Sequence, residues 1–172
     1  KKNRRRKFKM NGFDITIKDN FLDNDIFKKI HEKIDMYNYF PQTNMIEGIK
    51  HIWFSCDAEE EIIKIVQKKC EKILNKKLKV RFCSYTMLAT VEPLPHCDLG
   101  EECDYQVIIY IKGNNHLNKG TGFYLNGDLN THVGFNENRG VIWHANTVHT
   151  PLNWASDDKS KRFSLIMQMK SD

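Results

Sequence analysis

Residues 78–111 read LKVRFCSYTMLATVEPLPHCDLGEECDYQVIIYI, and they are the part of the chain that says most about its architecture. Residues 78–90 are rich in β-branched and aromatic side chains, and residues 105–111 form a short apolar run. Both patterns are typical of β-strands. Further strands, separated by turns rich in Gly, Asn and Asp, are predicted over residues 122–125, 140–143 and 162–169.

Two amphipathic helices are predicted before this strand-rich part. Asp23 can cap the first, whose apolar residues recur at helical spacing, and residues 62–74 carry the apolar stripe of the second. Many short strands with helices only at the front predict a mainly β chain. We expect two packed sheets, with the helices covering one outer face.

The length of 172 residues fits one domain with a substantial core. The formal net charge of +5 is modest, and much of the excess lies in the basic run of residues 1–7. We expect a basic, flexible tail over residues 1–12 and a single domain over residues 13–172. Within that domain, helices are expected over about residues 13–77 and the sheets over about residues 78–172.

Composition narrows the expected partners and location. The five cysteines form an odd set without a C-x-x-C pair, which favours reduced thiols in a cytoplasm over a disulfide framework. Apolar runs stay well short of the ~20 residues that span a bilayer, so we expect a soluble protein without a membrane partner. A nucleic-acid partner is less favoured, because the basic charge is concentrated in the tail. The Lys-, Asn- and Ile-rich composition suits an AT-rich phage or bacterial genome, and a viral protein would act in the host cytoplasm.

The segment His96-Cys97-Asp98 carries the main chemical signal. On an extended segment, an imidazole and a carboxylate two residues apart point to the same face. Together with one distant histidine, they can cover one face of an octahedral Fe(II) and leave the other positions open for a bidentate ligand and O₂. His144 and His149 are the candidates for that third ligand. The extended course after the turn that follows His144 favours His149, and His144 is expected near the mouth of the pocket.

Arg162 begins the last predicted strand, and Ser164 faces the same way two residues later. A guanidinium fork beside a hydroxyl suits a bound carboxylate, such as the far carboxylate of a dicarboxylic acid. Tyr85 and Tyr110 lie on the strands that flank the His-x-Asp segment. Each can aim its phenol into the barrel toward that carboxylate or toward substrate, or can pack in the core. Gln106 is a candidate hydrogen-bond partner for the metal ligands, which usually need one.

In combination, these residues resemble the iron- and 2-oxoglutarate-dependent oxygenases, and more narrowly their small prolyl-4-hydroxylase-like members. The resemblance covers roughly residues 79–169. Each matching piece is weak alone, but their order and spacing together are fairly specific. In chain order the pieces are Pro95-His96-Cys97-Asp98, YQVIIYI at 105–111, GTGFY at 120–124, GVIW at 140–143, His149-Thr150-Pro151 and Arg162-Phe163-Ser164.

The resemblance implies a double-stranded β-helix, or jelly roll, flanked by α-helices, with the metal at one open end. It implies that His96, Asp98 and His149 hold Fe(II) and that Arg162 pairs with the distal carboxylate of 2-oxoglutarate. Prolyl hydroxylases usually carry a lysine where this chain has Arg162. That departure weakens the case for proline as substrate, although not for 2-oxoglutarate as co-substrate.

The activity implied is hydroxylation of a C–H bond by O₂, coupled to decarboxylation of 2-oxoglutarate to succinate and CO₂. The expected substrate is a peptide, a protein or a small molecule such as an amino acid. Two alternatives stay open. One is oxidation of a nucleobase or nucleotide, with the basic tail gripping phosphate, and the other is a non-catalytic jelly-roll module that binds a partner or belongs to a virion.

Overall fold

The computed structural model describes residues 6–10, 13–46, 49–88, 94–98, 103–113, 115, 118–152 and 161–172. The helices in this part of the chain are α1 Asn24–His31 and α2 Glu60–Leu74, with a short 3-10 helix at Ile34–Met36. The strands are β1 Arg6–Met10, β2 Phe13–Lys18, β3 Phe40–Ile46, β4 Ile49–Asp57, β5 Leu78–Leu88, β6 Tyr105–Lys112, β7 Gly120–Leu125, β8 Asp128–Gly134, β9 Gly140–His144, β10 His149–Leu152 and β11 Arg162–Ser171.

The strands form two antiparallel sheets. The larger has the order β1-β2-β9-β6-β11-β5-β4-β3, and the smaller has the order β10-β7-β8. His96 joins the edge of the smaller sheet through an isolated bridge to His149. Two antiparallel sheets in this order form a jelly-roll-like fold, which confirms the predicted mainly β class with helices as a minor component.

Strand β6 lies inside the larger sheet and is buried along almost its whole length. Its residues Val107, Ile109 and Ile111 pack in the core that includes the helices, whereas Ile108 and Tyr110 pack between the two sheets. Because both faces of the strand are covered, its sequence is a continuous apolar run and not an alternation of apolar and polar residues.

Helix α2 covers the outer face of the larger sheet. It buries Ile62, Val66 and Cys70, which recur at helical spacing, in the same core as the outer side chains of β6. Lys69 of α2 pairs with Asp23, the residue before α1, at 2.8 Å and so links the two helices. Among the described residues, no helix is both long and apolar enough to cross a membrane.

The first half of the chain contains more strand than the sequence indicated. β1 pairs with β2 from Arg6 opposite Ile17 to Met10 opposite Phe13, so part of the expected flexible tail is the outermost strand of the larger sheet. β2, β3 and β4 also fall within the region that was expected to supply helices. β3 lies at one edge of the larger sheet, and Phe40 and the three residues after it are exposed. Exposed strand residues need not alternate between apolar and polar types, so this part of the sequence carries only a weak strand signal.

Gly120 tests how closely the backbones of β7 and β8 approach each other in the smaller sheet. Its φ is 148°, and a Cβ at this position would collide with the backbone carbonyl oxygen of Val133 on β8. Gly120→Ala is therefore expected to lower the free energy of unfolding by about 3 kcal/mol. The added methyl group forces the backbone of β8 to move, and alanine is also strained at this φ angle. Urea denaturation measures this loss.

Gly127→Ala is the matched control for this substitution. Gly127 also has a positive φ, of 90°, but no described atom lies within 4 Å of the added Cβ. The control is expected to lose only about 1 kcal/mol, the cost of the φ angle without a collision. Equal losses in the two variants would show that the close approach to Val133 is not a constraint.

Candidate metal centre

A backbone bridge brings the His-x-Asp segment to the edge of the smaller sheet. The amide of His96 donates to the carbonyl of His149 at 3.0 Å, and the amide of His149 donates to the carbonyl of His96 at 2.8 Å. As a result, ligand atoms of His96, Asp98 and His149 all lie within 4.8 Å of one another. The carboxylate oxygens of Asp98 are 3.3 Å from Nε2 of His149 and 3.9 Å from Nε2 of His96. The structure thus brings together the three residues that the sequence singled out as ligands.

Backbone carbonyl groups set the tautomer of both histidines. Nδ1 of His96 lies 2.7 Å from the carbonyl oxygen of Leu94, and Nδ1 of His149 lies 3.0 Å from that of Thr147. A carbonyl oxygen only accepts hydrogen bonds, so in the neutral rings each Nδ1 carries the hydrogen. Each Nε2 faces the Asp98 carboxylate. A neutral ring offers its Nε2 lone pair to a metal ion, as metal-binding histidines usually do, and a protonated ring instead donates from Nε2 to Asp98.

The carboxylate of Asp98 is held in its ionised form. Burial alone would raise its pKa. The hydrogen bond and charge of His149, the charge of His96 and a smaller contribution from the Gln106 amide outweigh burial, and they hold the pKa of Asp98 below its ordinary value. Asp98 is therefore an anionic ligand at neutral pH.

Two neutral imidazoles and one carboxylate fit Fe(II), because this set occupies one face of an octahedron and leaves the remaining positions for further ligands. The alternative third ligand, His144, lies outside the group. Its side chain is exposed, and its ring packs against the ring of Tyr105 at a centroid distance of 4.6 Å. The backbone bridge between His96 and His149 thus determines that His149, and not His144, joins the group.

A cavity of about 180 Å³ lies beside the three ligands. Ile108 of β6 and Trp143 of β9 line it, as do Arg162, Ile166 and Gln168 of β11. Alternate residues of a strand share a face, so β11 presents its even-numbered side chains to the interior between the sheets. Arg162 and the metal ligands consequently line one cavity.

The end of the cavity at Arg162 is suited to an anion. Arg162 is only 6% exposed, its Nη1 donates to the carbonyl of Gly120 at 3.3 Å, and its guanidinium carbon lies 5.9 Å from the centre of the Tyr110 ring. Thr121 lines the cavity as well. Ser164 is fully buried, and its hydroxyl has no hydrogen-bond partner among the described residues. A buried guanidinium in a cavity that a threonine also lines is a typical site for a carboxylate.

The two tyrosines considered in the sequence have different positions. Tyr110 lies between the sheets beside Arg162, and its hydroxyl forms a 2.7 Å hydrogen bond with that of Thr121. Tyr85 faces the helices, where its hydroxyl donates to Glu59 at 2.6 Å. The expectation that Tyr85 points toward the bound carboxylate is therefore wrong. Its neighbour Thr86 occupies the cavity face of β5, and consecutive residues of a strand point to opposite faces.

Sequence reasoning missed several residues that line the cavity, among them Trp53, Phe82 and Thr121. Thr121 lies within the Gly-Thr-Gly turn that contributed to the family resemblance, and that turn is the signal that could have revealed it. Trp53 and Phe82 carry no comparable signal. Their positions depend on how β4 and β5 are placed in the larger sheet, which local sequence patterns do not specify.

Tyr85→Phe tests the corrected position of this tyrosine. Burial raises the pKa of Glu59, but hydrogen bonds from the phenols of Tyr37 and Tyr85 outweigh it and hold the pKa below its ordinary value of 4.5. Loss of the Tyr85 phenol is expected to lower the free energy of unfolding by about 2 kcal/mol at neutral pH, since it removes a hydrogen bond to a charged group.

The pH dependence of that loss gives the sharper test. A carboxylate with a depressed pKa stabilises the folded state above its unfolded pKa, and this stabilisation disappears as pH falls through the folded pKa. The difference in free energy of unfolding between wild type and Tyr85→Phe should therefore become smaller below about pH 4.5. Urea titrations at several pH values measure it, and Tyr37→Phe, which removes the more exposed donor to Glu59, serves as comparison. A deficit that widens toward acid pH would contradict the assignment.

Comparisons with known proteins agree with this architecture. The sequence matches no protein-family model and no curated protein. In structure, the chain is similar to a 2OG-Fe(II) oxygenase family oxidoreductase from Burkholderia pseudomallei, with a TM-score of 0.70 and 11% identity over 91% of this chain and 84% of that one. It is also similar to a prolyl-4-hydroxylase from Pseudomonas putida, with a TM-score of 0.64 and 10% identity over 94% of this chain and 95% of that one.

A third similar structure is that of a complex. It is the epimerase SnoN in complex with Fe3+, alpha ketoglutarate and nogalamycin RO, with a TM-score of 0.65 and 10% identity over 90% of this chain and 78% of that one. At such low identity these likenesses establish the fold. This chain has the jelly-roll fold of the 2-oxoglutarate- and Fe(II)-dependent oxygenases, and it carries a His-Asp-His group beside its interior cavity.

Proposed function

We propose that this protein is an Fe(II)- and 2-oxoglutarate-dependent dioxygenase that hydroxylates a C–H bond. The observation that carries the proposal is the convergence of His96, Asp98 and His149 on one point of a cavity that also contains the buried Arg162. A structural jelly roll has no need of two histidines whose Nε2 atoms lie 3.9 Å and 3.3 Å from the carboxylate of one aspartate. It has equally little need of a guanidinium that is 6% exposed in the same cavity.

Arg162 explains why the co-substrate is a dicarboxylic 2-oxo acid. Its guanidinium, with the Thr121 and Ser164 hydroxyls, would offer donors to the far carboxylate, while the other carboxylate and the 2-oxo group would bind the Fe(II) that His96, Asp98 and His149 would hold. The unpartnered Ser164 hydroxyl supports this role, because a buried hydroxyl without a hydrogen bond is costly unless a ligand completes it.

When bound, Fe(II) supplies the reduction of O₂ that accompanies oxidative decarboxylation of 2-oxoglutarate. The balanced reaction takes 2-oxoglutarate, O₂ and the substrate C–H group to succinate, CO₂ and the hydroxylated substrate. The protein orients the reactants and excludes water. Ile108, Ile166 and Trp143 surround the reacting region with apolar surface, which protects it from side reactions with solvent.

The substrate class that we propose is a peptide, a protein or an amino acid. Support comes from the structural similarity to the Pseudomonas putida prolyl-4-hydroxylase, which covers 95% of that protein. Arg162 in place of the lysine typical of prolyl hydroxylases weakens the case for proline within this class. The cytoplasmic location expected from the free cysteines belongs to the same proposal.

Anaerobic titration with Fe(II) and 2-oxoglutarate tests the proposed function. The wild-type protein is expected to develop the visible charge-transfer band of a 2-oxo acid bound at Fe(II). In Asp98→Ala the band should be absent and succinate formation in air should be abolished, since one of three metal ligands is missing. Continued succinate formation by this variant would count decisively against the proposal.

Arg162→Gln tests the co-substrate site separately from the metal site. We expect the dissociation constant of 2-oxoglutarate to rise about 100-fold, because a buried charge pair loses one partner, while the affinity for Fe(II) stays unchanged. Lys161→Gln is the matched control, since it removes an exposed positive charge from the neighbouring position. The co-substrate assignment fails if both variants weaken 2-oxoglutarate binding equally.

A further inference from the structure

One row of side chains crosses four neighbouring strands of the larger sheet beside the metal ligands. In this row Trp143 of β9 lies opposite Gln106 of β6, Gln106 lies opposite Gln168 of β11, and Gln168 lies opposite Phe82 of β5. All four residues line the cavity. The row is thus one continuous wall of the cavity and consists of two aromatic rings with two amides between them.

This row lies away from the carboxylate site at Arg162. Gln168 is six residues from Arg162 on β11, which is roughly 20 Å along a strand at about 3.3 Å per residue. At the Trp143 end, the indole ring packs 5.0 Å from the ring of His149. A five-carbon diacid that reaches from Arg162 to the metal therefore leaves this wall of the cavity to another molecule.

Two polar atoms in the row are buried without partners. Among the described residues, neither Nε1 of Trp143 nor Oε1 of Gln106 has a hydrogen-bond partner, although Trp143 is 1% exposed and Gln106 is 3% exposed. Buried polar atoms are usually paired, and an unpaired one in a cavity wall points to a ligand. One of these atoms is a donor and the other is an acceptor.

The described lining of the cavity offers little to a charged substrate. Its charged side chains are those of Asp98 and Arg162. Under the proposed function, Asp98 binds the metal and Arg162 binds the co-substrate. A charged group beside Trp143 and Gln106, which are 1% and 3% exposed, would lose its hydration without gaining a further opposite charge, which is strongly unfavourable. The wall therefore favours an uncharged group that can both accept and donate hydrogen bonds.

We propose that Trp143 and Gln106 recognise a neutral amide of the substrate next to the carbon that is oxidised. The indole N–H donates to the amide carbonyl, and the Gln106 carbonyl accepts from the amide N–H. Side chains directly opposite on neighbouring strands are about 5 Å apart at Cβ, a spacing that suits the two ends of one amide group. An amide presents its acceptor and its donor on separate atoms, whereas a hydroxyl must use one oxygen for both.

This inference rests on the proposed function and narrows its substrate class. Within the range of a peptide, a protein or an amino acid, it selects substrates in which the reacting residue is embedded in amide bonds. A free amino acid is excluded, because it carries an ammonium and a carboxylate where the wall offers the indole N–H of Trp143 and the amide carbonyl of Gln106.

The test uses the full chain loaded anaerobically with Fe(II) and 2-oxoglutarate. The probes are the N-acetyl N-methylamides of the common amino acids, each compared with the corresponding free amino acid at the same concentration. At least one blocked amide is expected to perturb the charge-transfer band and, in air, to stimulate succinate release. The free amino acids are expected to do neither.

Variants assign the effect to the two recognition residues. Trp143→Phe keeps an aromatic ring without the N–H, and Gln106→Met keeps the length of the side chain without the carbonyl. Each is expected to weaken binding of the active amide about tenfold, the effect of losing one hydrogen bond. The dissociation constant of 2-oxoglutarate is expected to be unchanged in Trp143→Phe. Gln106→Met also loses the amide that hydrogen-bonds to Asp98, so its amide binding is measured at saturating Fe(II) and 2-oxoglutarate. Gln168→Met is the matched control, because it removes an amide from the same row but leaves both recognition atoms in place, and it should retain the wild-type affinity for the probe.

Several outcomes would overturn the inference while leaving the proposed function intact. One is a free amino acid that acts as strongly as its blocked amide, and another is the absence of any response to the blocked amides in a protein that does bind Fe(II) and 2-oxoglutarate. A third is a Trp143→Phe variant with weakened 2-oxoglutarate binding, since the indole N–H would then serve the co-substrate. Absence of the charge-transfer band itself would instead reject the proposed function.

Discussion

The pair of backbone hydrogen bonds between His96 and His149 is the constraint on which the rest of the site depends. These bonds attach the His-x-Asp segment to the edge of the smaller sheet and bring the two imidazole rings to a centroid distance of 4.9 Å. Carbonyl groups at residues 94 and 147 then orient both rings through Nδ1. Because every one of these partners is a backbone group, the ligand geometry is built into the fold and does not depend on a network of replaceable side chains.

Strand β11 organises the remainder of the site. It pairs with β5 on one side and β6 on the other, so it is held along its length from both edges. On the cavity face of β11, Arg162 provides a cation near one end of the cavity and Gln168 provides an amide near the other. On the opposite face, Leu165 and Met167 pack toward the helices. A single strand therefore joins the co-substrate end, the cavity wall and the hydrophobic core. Its pairing register determines the position of all three.

Sequence patterns predicted the parts of this arrangement that depend on local chemistry. A histidine and an aspartate two residues apart share a face of any extended segment, and the same argument places Ser164 beside Arg162. The short apolar run at residues 105–111 predicted a strand, and β6 is found there, buried along almost its whole length. The strands of the first half carry weaker patterns. In the edge strand β3, Phe40 and the three residues after it are exposed, and exposed strand positions have no need of apolar alternation.

Amino-acid types and their short spacings were thus enough to indicate the class of fold, the set of metal ligands and the anion-binding strand. Long-range pairing settled the rest. Whether His144 or His149 completes the metal group depended on which of them meets residue 96 across the sheet edge, and Tyr85 was assigned to the wrong face although its strand was correctly predicted. The physical reason is that a strand has a period of two residues, so the face that a side chain occupies is set by the register with distant strands and by what covers each side of the sheet.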